Sequence, residues 1–307
     1  MNIKIIYHIM PWEIDYALLT FTQLKKSKYF LSKDDHFSVE TVLNLSSYII
    51  DWNKSNLPKE FFIDKYNEIS NLLCDYNHIK RIHDGDKLYG HLNLQKECIS
   101  PEIDYYIGVC PDMYFGEHLL AYMIEGAKSI KNKYFVITPQ ISKLWDNSWD
   151  VLVNPLYLNI PYETWFETDT FDIIHNDSNL DIILTPINQS KYAGWFDLWN
   201  KDFYEDLVPV WDEWEGYGSW DWYTLLVSEK YKQLGGDFQQ YILEGKTIFE
   251  YSIGPLKNGF GNYYKKYLSL KDIPNQKENF KNKVFEYANT RLNQLLNESN
   301  NNSCSLL

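Results

Sequence analysis

Short apolar runs alternate with stretches patterned for helices through roughly the first 140 residues, and this order constrains the fold more than any other feature of the chain. Residues 3–9 (IKIIYHI) form a continuous apolar run, as expected of a strand buried on both faces. Helical spacing follows from Glu13 to Lys26, with Ile14, Leu18, Phe21 and Leu24 inward and Pro11 at the entrance. The same alternation predicts strands at 37–44, 78–83, 103–109 and 134–138. Between them fall helices at 58–74, with Phe61, Ile69 and Leu72 inside, and at 117–131, plus a short helix after the turn Asp84 to Gly90. Strands separated by helices are βαβ units, so the expected class is α/β, Rossmann-like, with a mostly parallel central sheet and helices on both faces. Ligands on such sheets bind beyond the carboxyl ends of the strands. That rule singles out His8 to Glu13, Asn44 to Asp51 and Cys110 to Phe115.

The rest of the chain is less regular. Short strands and loops are expected over 160–200, and helices resume at 220–234 and 276–297. With 307 residues the chain suits one large core. The expected organisation is a single domain over 1–298, divided into a nucleotide-binding half (1–115), an acceptor half (116–240) and a C-terminal helical elaboration (241–298). The Asn- and Ser-rich residues 299–307 form an expected disordered tail. Its end, Cys304-Ser305-Leu306-Leu307, formally matches a prenylation box but lacks a polybasic segment upstream, and reads more simply as a frayed polar terminus.

A formal charge of −13 argues against nucleic acid and anionic membranes as main partners, because both are bound chiefly through Lys and Arg. A nucleotide remains open to an acidic chain through a bridging Mn²⁺ or Mg²⁺. The N-terminal apolar run is too short for a signal h-region and nothing later approaches a membrane span, so a cytoplasmic protein is expected. Cys74, Cys98, Cys110 and Cys304 are spaced too irregularly for a metal knuckle or a disulfide framework, in keeping with a reducing compartment.

Six of the eleven tryptophans lie between 195 and 222, in a stretch also rich in Asp and Glu. Sugars present apolar C–H faces that stack on indole and hydroxyls that carboxylates accept from or deprotonate. Trp195, Trp220 and Trp222, with Glu215, are therefore candidate acceptor contacts. Trp195, Trp199, Trp211 and Trp214 read equally well as ordinary core packing. A second such segment, Lys143 to Asn154, carries Asp146 and Asp150 beside Trp145 and Trp149, and helical spacing there favours packing over acceptor contact. His8 and His118 read more simply as hydrogen-bonded neutral groups than as catalysts.

Asp112, in GVCPDMYFGEHLL, follows an apolar strand and precedes a helix. The position suits a carboxylate holding a cation on a pyrophosphate, or an Asp capping the next helix. An apolar strand, a short acidic turn, a helix and a strand ending NKYFVITPQ resemble the centre of the nucleotide-diphospho-sugar transferase (GT-A) fold, particularly family-2-like glycosyltransferases. The resemblance spans roughly residues 3–230, including YGHLNLQKE (Tyr89 to Glu97), GWFDLWN and GYGSWDWYT. It implies that the ends of the first two strands hold base and ribose, which assigns His8, Pro11 and Glu13 to the base side and Asp51 to the ribose side. The family's Asp-x-Asp metal motif reads Cys110-Pro111-Asp112 here, so only Asp112 carries over as a ligand for Mn²⁺ or Mg²⁺. Asp221 matches the family's catalytic carboxylate, with Trp222 where a second acid is common and Glu215 and Glu213 as reserves for that role. A late metal-ligating His found in many relatives has no counterpart, the last histidine being His175. The implied activity is inverting transfer of a sugar from a nucleotide-diphosphate donor to a hydroxyl or glycan acceptor. Paired carboxylates with Trp platforms also describe a glycoside hydrolase or a non-catalytic carbohydrate-binding protein.

Overall fold

A computed structural model describes residues 1–87, 89–143, 181–187, 196–208, 220–250 and 276–304. The first strand, β1 (Asn2–Ile9), stops before Pro11, which has no N–H to continue a ladder. Pro11 instead opens a single 3₁₀ turn, Pro11–Glu13, which runs into α1 (Ile14–Ser27). Then come β2 (His36–Asn44), α2 (Lys59–Ser70), β3 (Asn77–His83), α3 (His91–Cys98), β4 (Tyr105–Val109), the short β5 (Met113–Tyr114) and α4 (Leu119–Ser129). The remaining described elements are β6 (Tyr134–Lys143), β7 (Leu184–Ile187), β8 (Phe196–Asn200), α5 (Lys201–Asp206), α6 (Trp220–Gln233), β9 (Phe238–Glu250) and α7 (Gln276–Cys304).

All nine described strands join one sheet in the order β3-β2-β1-β4-β8-β6-β9, with β5 and β7 both pairing with β9. Strands β3, β2, β1 and β4 are mutually parallel, and β6 runs parallel to β9. Antiparallel β8 joins the two parallel groups, pairing Ile107 with Leu198 on one side and Val136 with Trp199 on the other. The mostly parallel α/β sheet expected from the sequence is therefore present, with antiparallel β8 at its centre.

Strand side chains alternate between faces. One face takes Ile3, Ile5, Tyr7 and Ile9 of β1, Val39 and Leu43 of β2, and Phe196 and Leu198 of β8, packed with residues of α1, α2 and α4. The other takes Ile6, Val42, Tyr106, Val136 and Trp199, packed with α3, α5, α6 and α7. Helices cover both faces, which explains why β1 reads as an unbroken apolar run.

Three helix readings shift in detail. On α1 the inward stripe is Ile14, Ala17, Phe21 and Leu24, leaving Leu18 on its shoulder, 39% exposed. On α2 it is Phe62, Tyr66 and Ile69, so Phe61 is 43% exposed and Leu72 half-buried. Each time the stripe follows the 3.6-residue repeat, and the neighbouring large apolar residue is left outside it. The C-terminal tail expected to be disordered is helical as far as Cys304, within α7. Val284, Ala288, Leu292 and Leu295 dock that helix, and extending a formed helix costs far less than nucleating one. Among the described residues, no helix is long and apolar enough to cross a membrane.

Candidate functional site

In the order β3-β2-β1-β4, the chain moves outward from β1 through β2 to β3 and then returns to the other side of β1 with β4. The strand order thus reverses beside β1, the place where ligands bind open α/β sheets, and the helices that follow β1 and β4, α1 and α4, both cover the same face. Tyr7 pairs with Val109, so the segment from His8 to Glu13 and the turn from Cys110 to Met113 emerge side by side.

Both segments are tied down. Glu13 accepts from the backbone N–H of Met10 at 2.8 Å, while its own N–H donates to the Met10 carbonyl at 2.8 Å. This reciprocal closure fixes the turn after β1. The Cys110 turn closes through the Met113 N–H to the Cys110 carbonyl at 3.3 Å, and Thr20 of α1 donates its hydroxyl hydrogen to this turn's carbonyls, with Met113 O at 3.0 Å. Asp112 sits half-buried in the turn. It does not cap the next helix: β5 intervenes and α4 has His118 at its N-cap.

His8 lies beneath the rim, 2% exposed. Its Nε2 is 3.1 Å from Asn44 Nδ2, and its ring stacks on Tyr89 at 6.0 Å between centroids. Asn44 also donates to the Tyr89 carbonyl at 2.8 Å and accepts from the Ser46 N–H at 3.1 Å. Tyr89 stacks on His83 at 4.2 Å. One carboxamide therefore ties together the ends of β1 and β2 and the loop after β3. Asp51 caps a 3₁₀ turn through the Asn53 N–H at 3.2 Å and pairs with Lys54 at 2.8 Å, its side chain 42% exposed. Trp52 reaches back to donate its indole N–H to the Leu45 carbonyl at 2.9 Å.

An ionic chain runs behind this cluster on the same face. Glu40, 1% exposed, meets Lys4 at 3.3 Å and also Arg81, whose second nitrogen reaches Glu97 at 2.8 Å. Glu97 in turn accepts from the Tyr89 hydroxyl at 2.8 Å. Burial, then the Glu97 hydrogen bond, pushes the Tyr89 phenol well above its ordinary value. Lys4 Nζ donates to the Cys98 carbonyl at 2.8 Å, and burial raises the Cys98 thiol to about 12, which leaves it inert.

Further along this face, Gly108 of β4 lies beside Ile6 of β1 and Asp197 of β8. A Cβ at Gly108 would meet no described atom within 4 Å. Among the described residues, then, mid-sheet backbone at the β1/β4 switch stands uncovered on this face, flanked by the 1%-exposed Asp197. Asp197 was not singled out from the sequence, and Asn44 was reached only as the first residue of the loop from Asn44 to Asp51. An acid inside the apolar strand FDLWN is the signal for Asp197, because a carboxylate at a core position is rare without a purpose.

The sugar-stacking reading fails for Trp199. It is fully buried, with Phe203 at 4.6 Å and Tyr204 at 5.5 Å, so GWFDLWN contributes a central strand. Trp195, Glu215, Glu213, Trp211 and Trp214 lie outside the described residues, as do Asp146, Asp150, Trp145 and Trp149. Positions 220, 221 and 222 open α6, and the side chains of Trp220, Asp221 and Trp222 are outside the description. Among the described residues, no three His, Cys, Asp or Glu side chains converge as metal ligands. In the Cys110 turn, Asp112 supplies the one carboxylate, a hard oxygen donor suited to Mg²⁺ or Mn²⁺, whereas Cys110 offers a soft sulfur that is not.

No family model and no curated protein matches the sequence. Solved structures do align. An S. aureus TarS fragment, 1-349, aligns at 11% identity with a TM-score of 0.47, covering 95% of this chain and 71% of that one. The same fragment in complex with UDP-GlcNAc aligns at 12% identity and 0.46, covering 95% and 72%. GalNAc-T7 with UDP, GalNAc and Mn²⁺ aligns at 11% identity and 0.47, covering 94% of this chain and 56% of that one.

Proposed function

We propose that the chain is a glycosyltransferase of the GT-A type, moving a sugar from a nucleotide-diphosphate donor to a hydroxyl acceptor with inversion. The observation that carries this reading is the reversal of strand order between β1 and β4, where Asp112 stands beside the turn after β1 and no described atom lies within 4 Å of a Cβ built at Gly108. Nucleotides bind α/β sheets at such a place.

In this reading Pro11 and Glu13 shape the base side of the site, and Glu13 does so by fixing the turn. His8 and Asn44 support the rim from below, and Asp51 lies toward the ribose. Asp221, opening α6, accepts the acceptor's proton as its oxygen attacks the anomeric carbon. Trp195, Trp220, Trp222 and Glu215 form the acceptor side. A divalent cation held by Asp112, phosphate oxygens and water would neutralise charge on the departing diphosphate.

Melting temperatures measured with UDP, GDP, CDP and dTDP, each with and without Mn²⁺, test the donor class. A ligand at a hundred times its dissociation constant adds about 2.7 kcal/mol of stability. The expected result is a shift with one nucleotide that grows with Mn²⁺, and no shift with any of the four would sink the reading. Asp221→Asn is expected to lower kcat by about 10²–10⁴ with nucleotide affinity unchanged, as read by steady-state kinetics and calorimetry.

A further inference from the structure

At the opposite, amino-terminal edge of the same parallel strands lies a cavity of about 850 Å³. It is bounded by the starts of β1, β2 and β3 and by the connection from α1 to β2. The nucleotide site proposed above is at the other end of these strands, so this cavity is a separate feature.

Its charges are unevenly compensated. Of the described lining carboxylates, Asp35 is buried and already engaged, by the Met1 ammonium at 3.0 Å and Lys128 at 3.2 Å. Glu102 is fully exposed, and a hydrogen bond from Ser100 holds its carboxyl below the usual value. Lys4 is engaged by Glu40 and the Cys98 carbonyl. Lys28 and Lys33 also line the cavity, and neither makes an ion pair among the described residues. The Lys28 ammonium is held over two aromatic rings, 5.3 Å from the centre of Phe37 and 4.7 Å from that of Tyr76. Ring faces position a cation without neutralising it, so its charge stays available to a ligand. Among the described residues the lining thus carries three charges outside ion pairs, the Lys28 and Lys33 ammonium groups and the Glu102 carboxylate, a surplus of one positive charge.

Tyr29 adds a surface for a ring. It lines the cavity and is 82% exposed, a large apolar face held in water next to Lys28 in the chain. Ser32 and His36, both exposed, add polar groups that can bond to a phosphate or a sugar hydroxyl.

We propose that this cavity binds a small phosphorylated sugar, its phosphate between Lys28 and Lys33 and its ring against Tyr29. The volume exceeds what inorganic phosphate fills, and the pairing of ammonium groups with an exposed aromatic ring matches a phosphate joined to a ring with apolar C–H faces. This inference does not depend on the glycosyltransferase reading.

The experiment is calorimetric titration of the full chain with glucose 6-phosphate and with inorganic phosphate, each repeated under saturating nucleoside diphosphate. The expected result is glucose 6-phosphate binding that survives the nucleotide and weakens about tenfold in Lys33→Gln and further in Lys28→Gln/Lys33→Gln. Lys33 is exposed, so its variant tests the site without disturbing the ring packing beneath Lys28. Tyr29→Ala should weaken glucose 6-phosphate and leave inorganic phosphate unchanged. The proposal is overturned if neither probe binds, if nucleotide displaces glucose 6-phosphate, or if its affinity is the same in Lys33→Gln and the double variant as in the wild type.

Discussion

On one face of the sheet β1 contributes Ile3, Ile5, Tyr7 and Ile9, whereas on the other it contributes Lys4, Ile6 and His8. The contrast continues across β2, with Val39, Leu43 and a single hydroxyl, Thr41, against Glu40, Val42 and Asn44, and across β8, with Phe196 and Leu198 against Asp197 and Trp199. Both faces are covered by helices, so exposure to water does not explain the polar groups. Each buried ion and amide costs desolvation that packing would not. The apolar face therefore accounts for stability, and the polar face is where positions have been given to hydrogen bonding and open space.

The largest effect that sharpens this contrast belongs on the apolar face. Phe21→Ala, in fully buried α1 packing beside Tyr7 at 5.2 Å, is expected to cost about 3–5 kcal/mol. Chemical denaturation reads that loss, and nucleotide affinity of the folded protein should not move. On the polar face, Asn44→Ala removes the shared hydrogen bonds to His8 and the Tyr89 carbonyl. The expected cost is about 1–3 kcal/mol, this time with weakened nucleotide binding, because the strand ends under the proposed nucleotide site lose their tie. Equal nucleotide effects from these two variants would break the contrast.

A smaller effect comes from pH. Burial, reinforced by Lys80, holds His78 below its usual value of 6.5, and its Nε2 lies 2.8 Å from Thr41 Oγ1 on the apolar face. Folding favours the neutral ring, so its contribution is complete above the unfolded pKa and is lost as pH falls. Denaturation at about pH 7 and about pH 5 should show a shallower decline for His78→Gln than for the wild type. An identical slope would remove His78 from the account.

The strands were legible because parallel sheets buried on both faces leave long apolar runs, as at residues 3–9. What sequence could not supply was which strands become neighbours. FDLWN reads as a sugar-contacting segment until β8 is seen inserted antiparallel between β4 and β6, which puts Trp199 in the core and Asp197 beside Gly108. His8 was legible as a residue at a strand end, but not as one held under the rim by Asn44, a contact spanning 36 residues. The periodicity of α7 gave no stop signal, so its course to Cys304 was hidden behind a composition typical of loose tails.

The central claim is that the space over Gly108 receives the donor. Gly108→Val places side-chain volume where no described atom lies within 4 Å of its Cβ and improves the intrinsic fit of the residue to a strand, so stability should hold. Calorimetric titration of wild type and Gly108→Val with the nucleotide sugar whose diphosphate stabilises the protein is the direct test. The account predicts binding lost or weakened at least about tenfold in a variant as stable as the wild type. Undiminished affinity in Gly108→Val would contradict it and place the donor elsewhere on the molecule.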